Sequence, residues 1–516
     1  MHPRQHAAVT PDKPAAVMAE SGEVRSYAAL EQVANQGAQL LRVLGLHNDD
    51  TIALWLPNCL EYFDIYWAAQ RAGLYIVPIS TALTAEEAGY ILADCGAILL
   101  VTCAEVKHAA DFLAQYQNLA PALRHLFAVG ETLTTAASWE KARAAMPATR
   151  IADEQAGFHM VYSSGTTGRP KGVRIPLTSG PAEAPHFLAE QQQARYGTGP
   201  ATVFYSPAPL YHTAPLAFST SAQRLGATVV LAQKFDPEAA LAAIETYRAT
   251  HTQMVPTMFI RLLRLADDVR QRYDISSLTH VVHAAAPCPV PVKQQMLEWL
   301  GPVIYEYYGG SEGNGMCFIT PQEWQRKPGS VGRAIWGTLH VCGSDGTELP
   351  PGEAGEVYFE GGWDFQYLND DAKSASARNP LHPRWTTIGD IGFVDEDGYL
   401  FLTDRKNFMI ISGGVNIYPQ EAENLLAAHP KVQDAAVFGI PDAEMGEAVH
   451  AAIQPMDWTE ATPALAAELI AYCRENLSHI KCPRGINFVA EFPRHDTGKL
   501  YKRKLRDAYW PKENTP

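Results

Sequence analysis

The sequence lacks the features that define several broad classes of protein. Its eight cysteines are scattered, with no C-x-x-C pair and no cysteine and histidine cluster at zinc-ligand spacing. No window approaches the ~18 apolar residues that cross a membrane. The N-terminal stretch MHPRQHAAVTPDKPAAVMAE has no apolar core of signal-peptide length. We therefore expect reduced thiols, no zinc site, a cytoplasmic location and no integral membrane contact.

The sequence also lacks an excess of positive charge. Lys and Arg number 41 against 56 Asp and Glu, which gives a formal net charge of -15. Nothing in this balance attracts the whole molecule to nucleic acid or to an anionic membrane. We expect no nucleic-acid partner, and a phosphate-bearing substrate would need a local basic site.

What the sequence does contain is an alternation of helical and strand patterns. Its 516 residues are enough for roughly two to four structural units. Residues 27–46 place apolar side chains at helical spacing and end near Gly45, and the apolar strand TIALWLPNC follows. The alternation recurs in YFDIYWAAQRAG with YIVPI, in AAIETYRATHTQMVPT and in HVVHAAA. It predicts an α/β fold with parallel sheets covered on both faces.

The pattern changes twice towards the C-terminus. Residues 337–400 are short segments with hairpin signals such as SDG and EDG, which predict a small antiparallel β region, a candidate barrel. After Arg405 the order resets to strand, helix and strand, followed by a helix near residues 463–477 and the strand INFVAEF. We therefore predict an N-terminal domain of residues 1–404 and an α+β C-terminal domain of residues 405–516.

The stretch VYSSGTTGRPKGV, residues 161–173, combines hydroxyl side chains, glycines and a lysine. Glycines let the backbone approach an anion, and Lys171 supplies positive charge. It is not a Walker A loop, because Gly172 stands where that motif needs a hydroxyl. Pro170 disfavours an immediate helix. We predict a phosphate-binding loop between the strands HMVYSS and GVRI, with an ordinary turn as the alternative.

Two further stretches suit a nucleotide. In YEYYGGSEGNG, residues 305–315, an aromatic ring can stack on a purine or line an acyl pocket, and Ser311 with Glu312 can hold a phosphate and Mg²⁺. In VVHAAAPCP, residues 281–289, a strand ends in small residues that leave room for a flat ligand. Taken alone, the first also fits a solvated loop and the second fits plain packing.

Three charged positions complete the candidate site. Asp390 is predicted to lie in a Gly-flanked turn, in TIGDIGF, and suits a ribose diol, while Arg405 follows a strand and suits a phosphate or a ribose. Lys499 ends the Asp-Thr-Gly turn of PRHDTGKLYKRKLR, before a basic helix. Considered singly, these residues also fit a turn aspartate, a surface arginine and a solvated basic face.

In this order, the segments resemble the adenylate-forming superfamily of acyl-CoA synthetases, firefly luciferases and nonribosomal adenylation domains. The resemblance covers essentially the whole chain. Its most specific pieces are YSSGTTGRPKGV, YYGGSEG, TIGDIGF, DRKNFMIISGGVNIYPQEAE and HDTGKLYKRKL. It implies a large N-terminal domain of two α/β subdomains plus a small β-barrel, and a smaller, mobile α+β C-terminal domain that carries a catalytic lysine.

The resemblance implies a role for each motif. Lys499 would bridge the attacking carboxylate and the α-phosphate, and the other predicted catalytic residues are Glu312, Ser311 and Thr166. Mg²⁺ would be held by Thr166 and Glu312. The residues implied at the β- and γ-phosphates of ATP are Ser163, Ser164, Gly165, Thr166, Thr167, Gly168 and Lys171. Those implied around the rest of the nucleotide are Ala284, Ala285, Ala286, Glu306, Tyr307, Tyr308, Gly309, Ser311, Asp390 and Arg405.

The resemblance also implies a second conformation for transfer to coenzyme A. Rotation about a hinge in DRKN, residues 404–407, would replace the Lys499 turn with a face of small residues that lets a pantetheine arm pass. That face carries Ser412, Gly413 and Gly414. The hinge residue here is Asn407, where Lys or Asp is common in the superfamily, and Ser311 stands where threonine is usual.

The acid is predicted from the stretch VFYSPAPLYHTAPLAFSTSAQR. It contains no Asp or Glu, which disfavours an amino acid because a buried ammonium needs an anionic partner. The residues implied in the acyl pocket are His212, Thr213, Ala214, Gly309 and Gly310. They indicate a mostly apolar pocket with one polar aromatic group, although His212 also fits a packing role.

We therefore predict an acyl-CoA ligase that uses ATP and Mg²⁺ to activate a hydrophobic monocarboxylic acid, fatty, aryl or alicyclic, through an acyl-adenylate. Transfer to CoA would release AMP, and pyrophosphate would leave in the first step. The close alternative is an acyl-AMP ligase that loads a carrier protein. A luciferase-type oxygenase and a nucleotide-binding regulator are the more distant ones. The expected partners are a small-molecule carboxylic acid, ATP and CoA, and a homodimer is left open.

Overall fold

The protein is described by a computed structural model. It covers residues 1–131, 133–163, 170–177, 180–405, 408–412, 415–494 and 500–510, with the backbone alone at residues 163, 404, 405 and 416. The chain divides into two compact units. Unit 1 comprises Met1–Met254, Arg261–His283 and Asp364–Ser374, and unit 2 comprises Val255–Ile260, Ala284–Trp363 and Ala375–Pro516.

Helices are spread along the whole described chain. The α-helices are α1 (Pro3–Val9), α2 (Tyr27–Val43), α3 (Leu60–Arg71), α4 (Ala85–Asp94), α5 (Ala109–Leu119), α6 (Trp139–Ala144), α7 (Phe187–Tyr196), α8 (Thr213–Arg224), α9 (Pro237–Tyr247), α10 (Pro256–Leu263), α11 (Asp267–Arg270), α12 (Val290–Leu300), α13 (Pro321–Arg326), α14 (Asp371–Ser376), α15 (Pro419–Ala427), α16 (Pro463–Asn476) and α17 (Lys502–Arg506). Short 3₁₀ helices are found at Trp458–Glu460 and His479–Lys481.

The strands are short and alternate with these helices. They are β1 (Pro14–Met18), β2 (Val24–Ser26), β3 (Thr51–Leu54), β4 (Tyr75–Pro78), β5 (Leu99–Cys103), β6 (His125–Val129), β7 (Ala137–Ser138), β8 (Phe158–His159), β9 (Val161–Ser163), β10 (Lys171–Arg174), β11 (Val203–Ser206), β12 (Thr228–Leu231), β13 (His251–Met254), β14 (His280–His283), β15 (Ile304–Gly309), β16 (Met316–Ile319), β17 (Arg333–Trp336), β18 (Thr338–Cys342), β19 (Gly355–Glu360), β20 (Gln366–Tyr367), β21 (Trp385–Thr386), β22 (Asp390–Val394), β23 (Leu400–Arg405), β24 (Ile410–Ser412), β25 (Val415–Ile417), β26 (Val432–Asp442), β27 (Gly446–Pro455) and β28 (Gly485–Phe488).

Unit 1 holds two sheets of mainly parallel strands. One has the order β7-β6-β5-β3-β4-β8, with every neighbouring pair parallel. The other runs β14-β13-β11-β12-β1-β2 and is parallel except for the β1–β2 pair. Strands β3 and β4, predicted from TIALWLPNC and YIVPI, are buried at every position, as strands covered on both faces are. The α/β prediction is confirmed.

Helix α2 illustrates how the sequence forms this core. Its N-cap is Ser26, whose side chain accepts a hydrogen bond from the amide of Ala29. The helix ends at Val43, three residues before the end of the predicted stretch, because Gly45 adopts a positive φ of 80°. A β-carbon at Gly37 would lie 2.6 Å from Cβ of Ala68 on α3. Only glycine therefore allows these two helices to pack so closely.

A third, small antiparallel sheet of unit 1 has the order β20-β10-β9. Strands β9 and β10 are the two strands predicted on either side of the phosphate-binding loop. Their register pairs Ser163 with Lys171, Gly172 with Tyr162 and Val173 with Val161. The predicted loop is thus the connection of a β-hairpin.

Unit 2 is mainly antiparallel. Strands β15, β16 and β17 are neighbours, and the β region predicted at residues 337–400 is a sheet of order β18-β19-β22-β23 with β21 paired to β19. Towards the C-terminus, β25-β24-β27-β26 form another sheet, with β28 parallel to β27. This sheet with α15 and α16 is the predicted α+β unit, and the domain boundary at residues 404/405 stays a prediction.

No helix in the described part of the chain is long and apolar enough to cross a membrane.

Candidate active site

The base of the predicted phosphate-binding loop is held by an ion pair inside unit 1. Lys171, the first residue of β10, pairs through its ammonium with Asp370. Asp370 also accepts a hydrogen bond from the backbone amide of Lys373, at 2.9 Å. The Lys171 ammonium is the main reason that the pKa of Asp370 is lowered. The side chain of Ser163 and the residues Ser164, Gly165, Thr166, Thr167 and Gly168 lie outside the described residues.

A second cluster, in unit 2, brings together two residues predicted for adenine and ribose. Tyr308 lies near the end of β15, and its hydroxyl donates a hydrogen bond to Oδ2 of Asp390 at 2.8 Å. Asp390 is buried. It begins strand β22 instead of lying within a turn, and Gly389 just before it has a positive φ of 82°. The glycine makes the turn and the strand then fixes the aspartate.

The register of β22 and β23 places the predicted ribose pair side by side. Asp390 and Arg405 are direct Cα partners in this antiparallel pair. The sequence predicted that Arg405 follows a strand, whereas Arg405 is the last residue of β23. The strand register therefore brings together the backbones of the two residues predicted at the ribose, which lie 15 positions apart in the sequence.

The turn after β15 carries Ser311 and Glu312, predicted at the α-phosphate and Mg²⁺. Glu312 is buried and Ser311 is half-buried. A β-carbon at Gly310 would lie only 2.7 Å from Oε2 of Glu312 and 3.0 Å from Cδ1 of Ile388. Gly310 therefore leaves the space that the Glu312 carboxylate occupies.

This carboxylate fits the usual way in which a protein holds Mg²⁺ with a nucleotide. Mg²⁺ is commonly bound by one or two carboxylates together with substrate phosphate oxygens and water. Among the described residues, no three His, Cys, Asp or Glu side chains are grouped as metal ligands. Glu312 together with the phosphates of ATP would match this donor set, and Thr166 is outside the described residues.

The small residues predicted beside adenine form a loop with an unusual backbone. Ala284 is buried, Ala285 is exposed and Ala286 is half-buried. Ala285 has a φ of 76°. A non-glycine residue in the left-handed region is uncommon and costs roughly 1–2 kcal/mol. The loop is thus held in a conformation that its own sequence does not prefer.

Glu306 and Tyr307 were predicted as nucleotide-binding residues next to Tyr308. Side chains alternate along a strand, so Glu306 shares a face of β15 with Tyr308 and Tyr307 lies on the other. The Glu306 carboxylate is paired with Lys293, 2.5 Å away on α12. Burial raises the pKa of Tyr307 above its usual value, so its hydroxyl stays protonated.

The predicted acyl-pocket residues come from both units. His212 precedes α8 in unit 1, and Thr213 and Ala214 form its first turn. The imidazole of His212 lies edge-on to Tyr211, with ring centroids 4.6 Å apart, and Leu216 is fully buried. In unit 2, a β-carbon at Gly309 would lie 3.1 Å from the carbonyl oxygen of Gly315, and Gly310 faces Glu312.

Near the C-terminus, the structure describes the flanks of the remaining predicted residues. Ser412 is buried at the end of β24, where it pairs with Val415 and with Gly446 of β27. Arg494 and Leu500 form an isolated antiparallel bridge. Asn407, Gly413, Gly414 and Lys499 lie outside the described residues.

Two residues that the sequence did not indicate contact the predicted site. Asp370 pairs with Lys171, and Lys293 pairs with Glu306. Asp370 lies in the acidic segment LNDDAK, which reads as a surface turn. The only local signal for Lys293 is one charge in the apolar stretch VPVKQQML. Neither partner can be chosen from sequence spacing alone.

Comparison with known proteins identifies the family. The AMP-binding enzyme family matches residues 3–366, and the AMP-binding enzyme C-terminal domain matches residues 421–499. The chain therefore belongs to the family of AMP-binding enzymes.

Two relatives and one solved structure illustrate the similarity. The chain is 30% identical over 508 residues to the 2-succinylbenzoate–CoA ligase of Bacillus licheniformis, covering 97% of this chain and 98% of the relative. It is 34% identical over 508 residues to the 3-[(3aS,4S,7aS)-7a-methyl-1,5-dioxo-octahydro-1H-inden-4-yl]propanoyl:CoA ligase of Mycobacterium tuberculosis, covering 95% of each chain. The anthranilate CoA ligase AuaEII, solved in complex with anthranoyl-AMP, matches with a TM-score of 0.85 at 26% identity, covering 98% of this chain and 96% of that one.

These comparisons confirm the predicted superfamily, fold class and enzyme class. The protein is an AMP-forming acid–CoA ligase that uses ATP and CoA, and the carrier-protein alternative is not favoured. The roles of individual residues stay predictions.

Proposed function

We propose that the protein activates a hydrophobic monocarboxylic acid with ATP and Mg²⁺ and transfers the acyl group to CoA. The observation that carries the proposal is the Tyr308–Asp390 hydrogen bond, which joins an aromatic ring and a carboxylate within unit 2. The ring offers a stacking surface for adenine, and the carboxylate offers an acceptor for a ribose hydroxyl. The buried Glu312 carboxylate follows Tyr308 by four positions.

In the first step, an oxygen of the substrate carboxylate attacks the α-phosphorus of ATP. The bond between the α-phosphorus and the bridging oxygen breaks, and pyrophosphate leaves. The carboxylate and the phosphates are both anionic, so catalysis depends on cations aimed at the developing charge. Lys499 supplies one on the attacking side, and Lys171 supplies one for the leaving pyrophosphate. No side-chain nucleophile is required.

In the second step, the CoA thiol loses its proton to solvent and its sulfur attacks the carbonyl carbon of the acyl-adenylate. The bond between this carbon and the phosphate oxygen breaks, and AMP leaves. Ser412, Gly413 and Gly414 would border the pantetheine path.

Mg²⁺ neutralises phosphate charge when it is bound. Glu312 would hold it together with Thr166.

The acid is proposed to be fatty, aryl or alicyclic. In unit 1, β11 and α8 carry the stretch at residues 203–224, which has no carboxylate side chain. Its described interior includes the buried aliphatic side chains Leu210 and Leu216. A substrate ammonium would therefore lack an anionic partner there. Relatives named for 2-succinylbenzoate and for a bicyclic propanoate support a bulky organic acid.

The proposal is tested by measuring thioester formation across a panel of acids. Purified protein is incubated with ATP, Mg²⁺ and CoA and with octanoate, benzoate, cinnamate, cyclohexanecarboxylate or phenylalanine. We expect an acyl-CoA product from at least one of the four acids without an amino group and none from phenylalanine. Acyl-AMP that accumulates in the presence of CoA, and is consumed only when a carrier protein is added, would refute CoA as the acceptor.

A further inference from the structure

Lys293 of α12 and Glu306 of β15 form an ion pair in the interior of unit 2. Nζ of Lys293 lies 2.5 Å from Oε2 of Glu306, and the two side chains are 0% and 8% exposed. The same ammonium lies 4.8 Å from the ring centroid of Trp324, which is also buried. A buried pair pays a large desolvation penalty and is weak evidence of a stabilising role. We therefore consider which segments the ion pair connects rather than how much it stabilises the fold.

The pair connects the two segments predicted to face the adenine ring. Helix α12 begins at Val290, directly after the loop that contains Ala284–Ala286. Glu306 precedes Tyr308 by two positions, so both side chains leave the same face of β15. One ionic contact thus links the helix that follows the loop to the strand that carries the aromatic ring.

The loop itself needs such support. Ala285 holds a φ of 76°, which an alanine adopts only when the surrounding structure imposes it. The loop leads directly into α12, so a shift of this helix on β15 moves the loop relative to Tyr308. A flat purine needs a gap of defined width between the two.

We propose that the Lys293–Glu306 ion pair is a positioning device for the nucleotide, which sets the spacing between the Ala284–Ala286 loop and Tyr308. The proposal rests on the proposed function, in which these segments bind the adenine of ATP. Neither residue is among those predicted at the β- and γ-phosphates of ATP or in the acyl pocket. Loss of the pair should weaken ATP and AMP binding while the chemical step at saturating ATP is retained.

Steady-state kinetics and AMP calorimetry test the proposal in four variants. They are Glu306→Gln, the apolar double variant K293M/E306L, the charge exchange K293E/E306K and Lys293→Arg. The apolar double leaves no buried charge, and such replacements are often neutral for folding. We expect the KM for ATP and the Kd for AMP to rise about tenfold in E306Q and K293M/E306L, which is roughly the effect of losing one favourable polar contact. The kcat should stay within about threefold, and the KM values for acid and CoA should not change. K293E/E306K and Lys293→Arg, which both keep an ion pair, should retain most of the wild-type affinity.

Arg71→Met provides a matched control. Arg71 is 1% exposed and pairs with Glu31 in unit 1, on helices that carry no predicted site residue. It should lower the unfolding temperature without raising the KM for ATP. An unchanged AMP Kd in a folded E306Q or K293M/E306L variant would overturn the proposal, as would an equal rise in R71M. Absence of adenylate formation by the wild type with every acid would instead reject the proposed function, and AMP calorimetry on the folded variants would still decide the positioning role.

Discussion

The Tyr308 hydroxyl and the Asp390 carboxylate are joined by a 2.8 Å hydrogen bond between residues 82 positions apart. The sequence predicted the first for adenine and the second for ribose, and the fold makes them one hydrogen-bonded pair. The hydrogen bond from Tyr308 orients the Asp390 carboxylate, whose oxygens can each accept more than one hydrogen bond, including one from a ribose hydroxyl. Substitution of either residue should therefore affect nucleotide binding before it affects the acid.

We expect Tyr308→Phe to raise the KM for ATP about tenfold, because a hydrogen bond to a charged group contributes roughly 1.5–3 kcal/mol. Asp390→Asn should raise it by a similar factor with ATP and have little effect with 2′,3′-dideoxy-ATP. The measurement is pyrophosphate exchange with each nucleotide. An equal penalty with both nucleotides would show that Asp390 does not bind the ribose hydroxyls.

For the Lys171–Asp370 ion pair we predict a lower KM for ATP, in contrast to the higher KM expected for the Tyr308 and Asp390 variants. In the proposed function, Asp370 would compete with the phosphates of ATP for the Lys171 ammonium. Asp370→Asn should therefore lower the KM for ATP about two- to fivefold, a modest effect for a partly exposed pair. The asparagine side-chain oxygen can still accept the hydrogen bond from the backbone amide of Lys373. The control is Asp371→Asn at the neighbouring exposed carboxylate, which should leave the KM unchanged. A higher KM in the Asp370 variant would mean that the pair orients Lys171 for binding.

Lys499 is expected to act in the first half-reaction alone. Lys499→Ala should abolish acyl-AMP formation from acid and ATP, since no other cation is predicted to bridge the carboxylate and the α-phosphate. Thioester formation from supplied acyl-AMP and CoA should be largely retained. Both rates are read from product analysis by chromatography, with Lys504→Ala in the same basic segment as the control. A comparable loss in both half-reactions would contradict this division of roles.

Ala285 offers a prediction about stability. Ala285→Gly relieves a positive φ that costs roughly 1–2 kcal/mol but adds about 0.4–1 kcal/mol of unfolded-state entropy. The free energy of unfolding should therefore increase by up to about 1.6 kcal/mol, whereas Ala285→Val should lower it. Urea unfolding of the two variants provides the comparison. Ala284→Gly, at a neighbour without a positive φ, should be destabilising, and equal effects of the two glycine variants would argue against backbone strain at Ala285.

The half-buried His280 should make the protein less stable in acid. His280 stacks on His251 with ring centroids 4.5 Å apart, and burial, followed by the charge of His251, lowers the pKa of His280 to about 4. The unfolded chain binds a proton near pH 6.5, well before the folded protein does. Proton binding by the unfolded chain therefore lowers the free energy of unfolding as the pH falls from about 6.5 towards 4. Above about pH 6.5 this destabilising contribution is absent.

His280→Phe keeps a ring in the stack and removes the titrating group. We expect a shallower loss of the free energy of unfolding between about pH 6.5 and pH 4 than in the wild type. Denaturant unfolding at a series of pH values measures this slope. His47→Gln, at an exposed histidine, should keep the wild-type slope. An unchanged slope in His280→Phe would assign the acid sensitivity to other groups.

Much of the fold could be predicted because local patterns carry it. The apolar runs at β3 and β4, the helical spacing of α2 and the hairpin around the phosphate-binding loop all follow from short segments. The ends of elements were less accurate. Asp390 begins a strand and Arg405 ends one, because cross-strand pairing extended both segments beyond their local signals.

The sequence by itself determined the chemistry that is available: a glycine- and hydroxyl-rich loop with Lys171, the aromatic YYGGSEG segment, and Lys499 near the C-terminus. These motifs are local and keep their residue types and order wherever the chain folds. Only the tertiary structure decided the partners, because ion pairs and hydrogen bonds join residues that sequence spacing does not relate. Tyr308 with Asp390, Lys171 with Asp370 and Lys293 with Glu306 depend on strand register and helix packing.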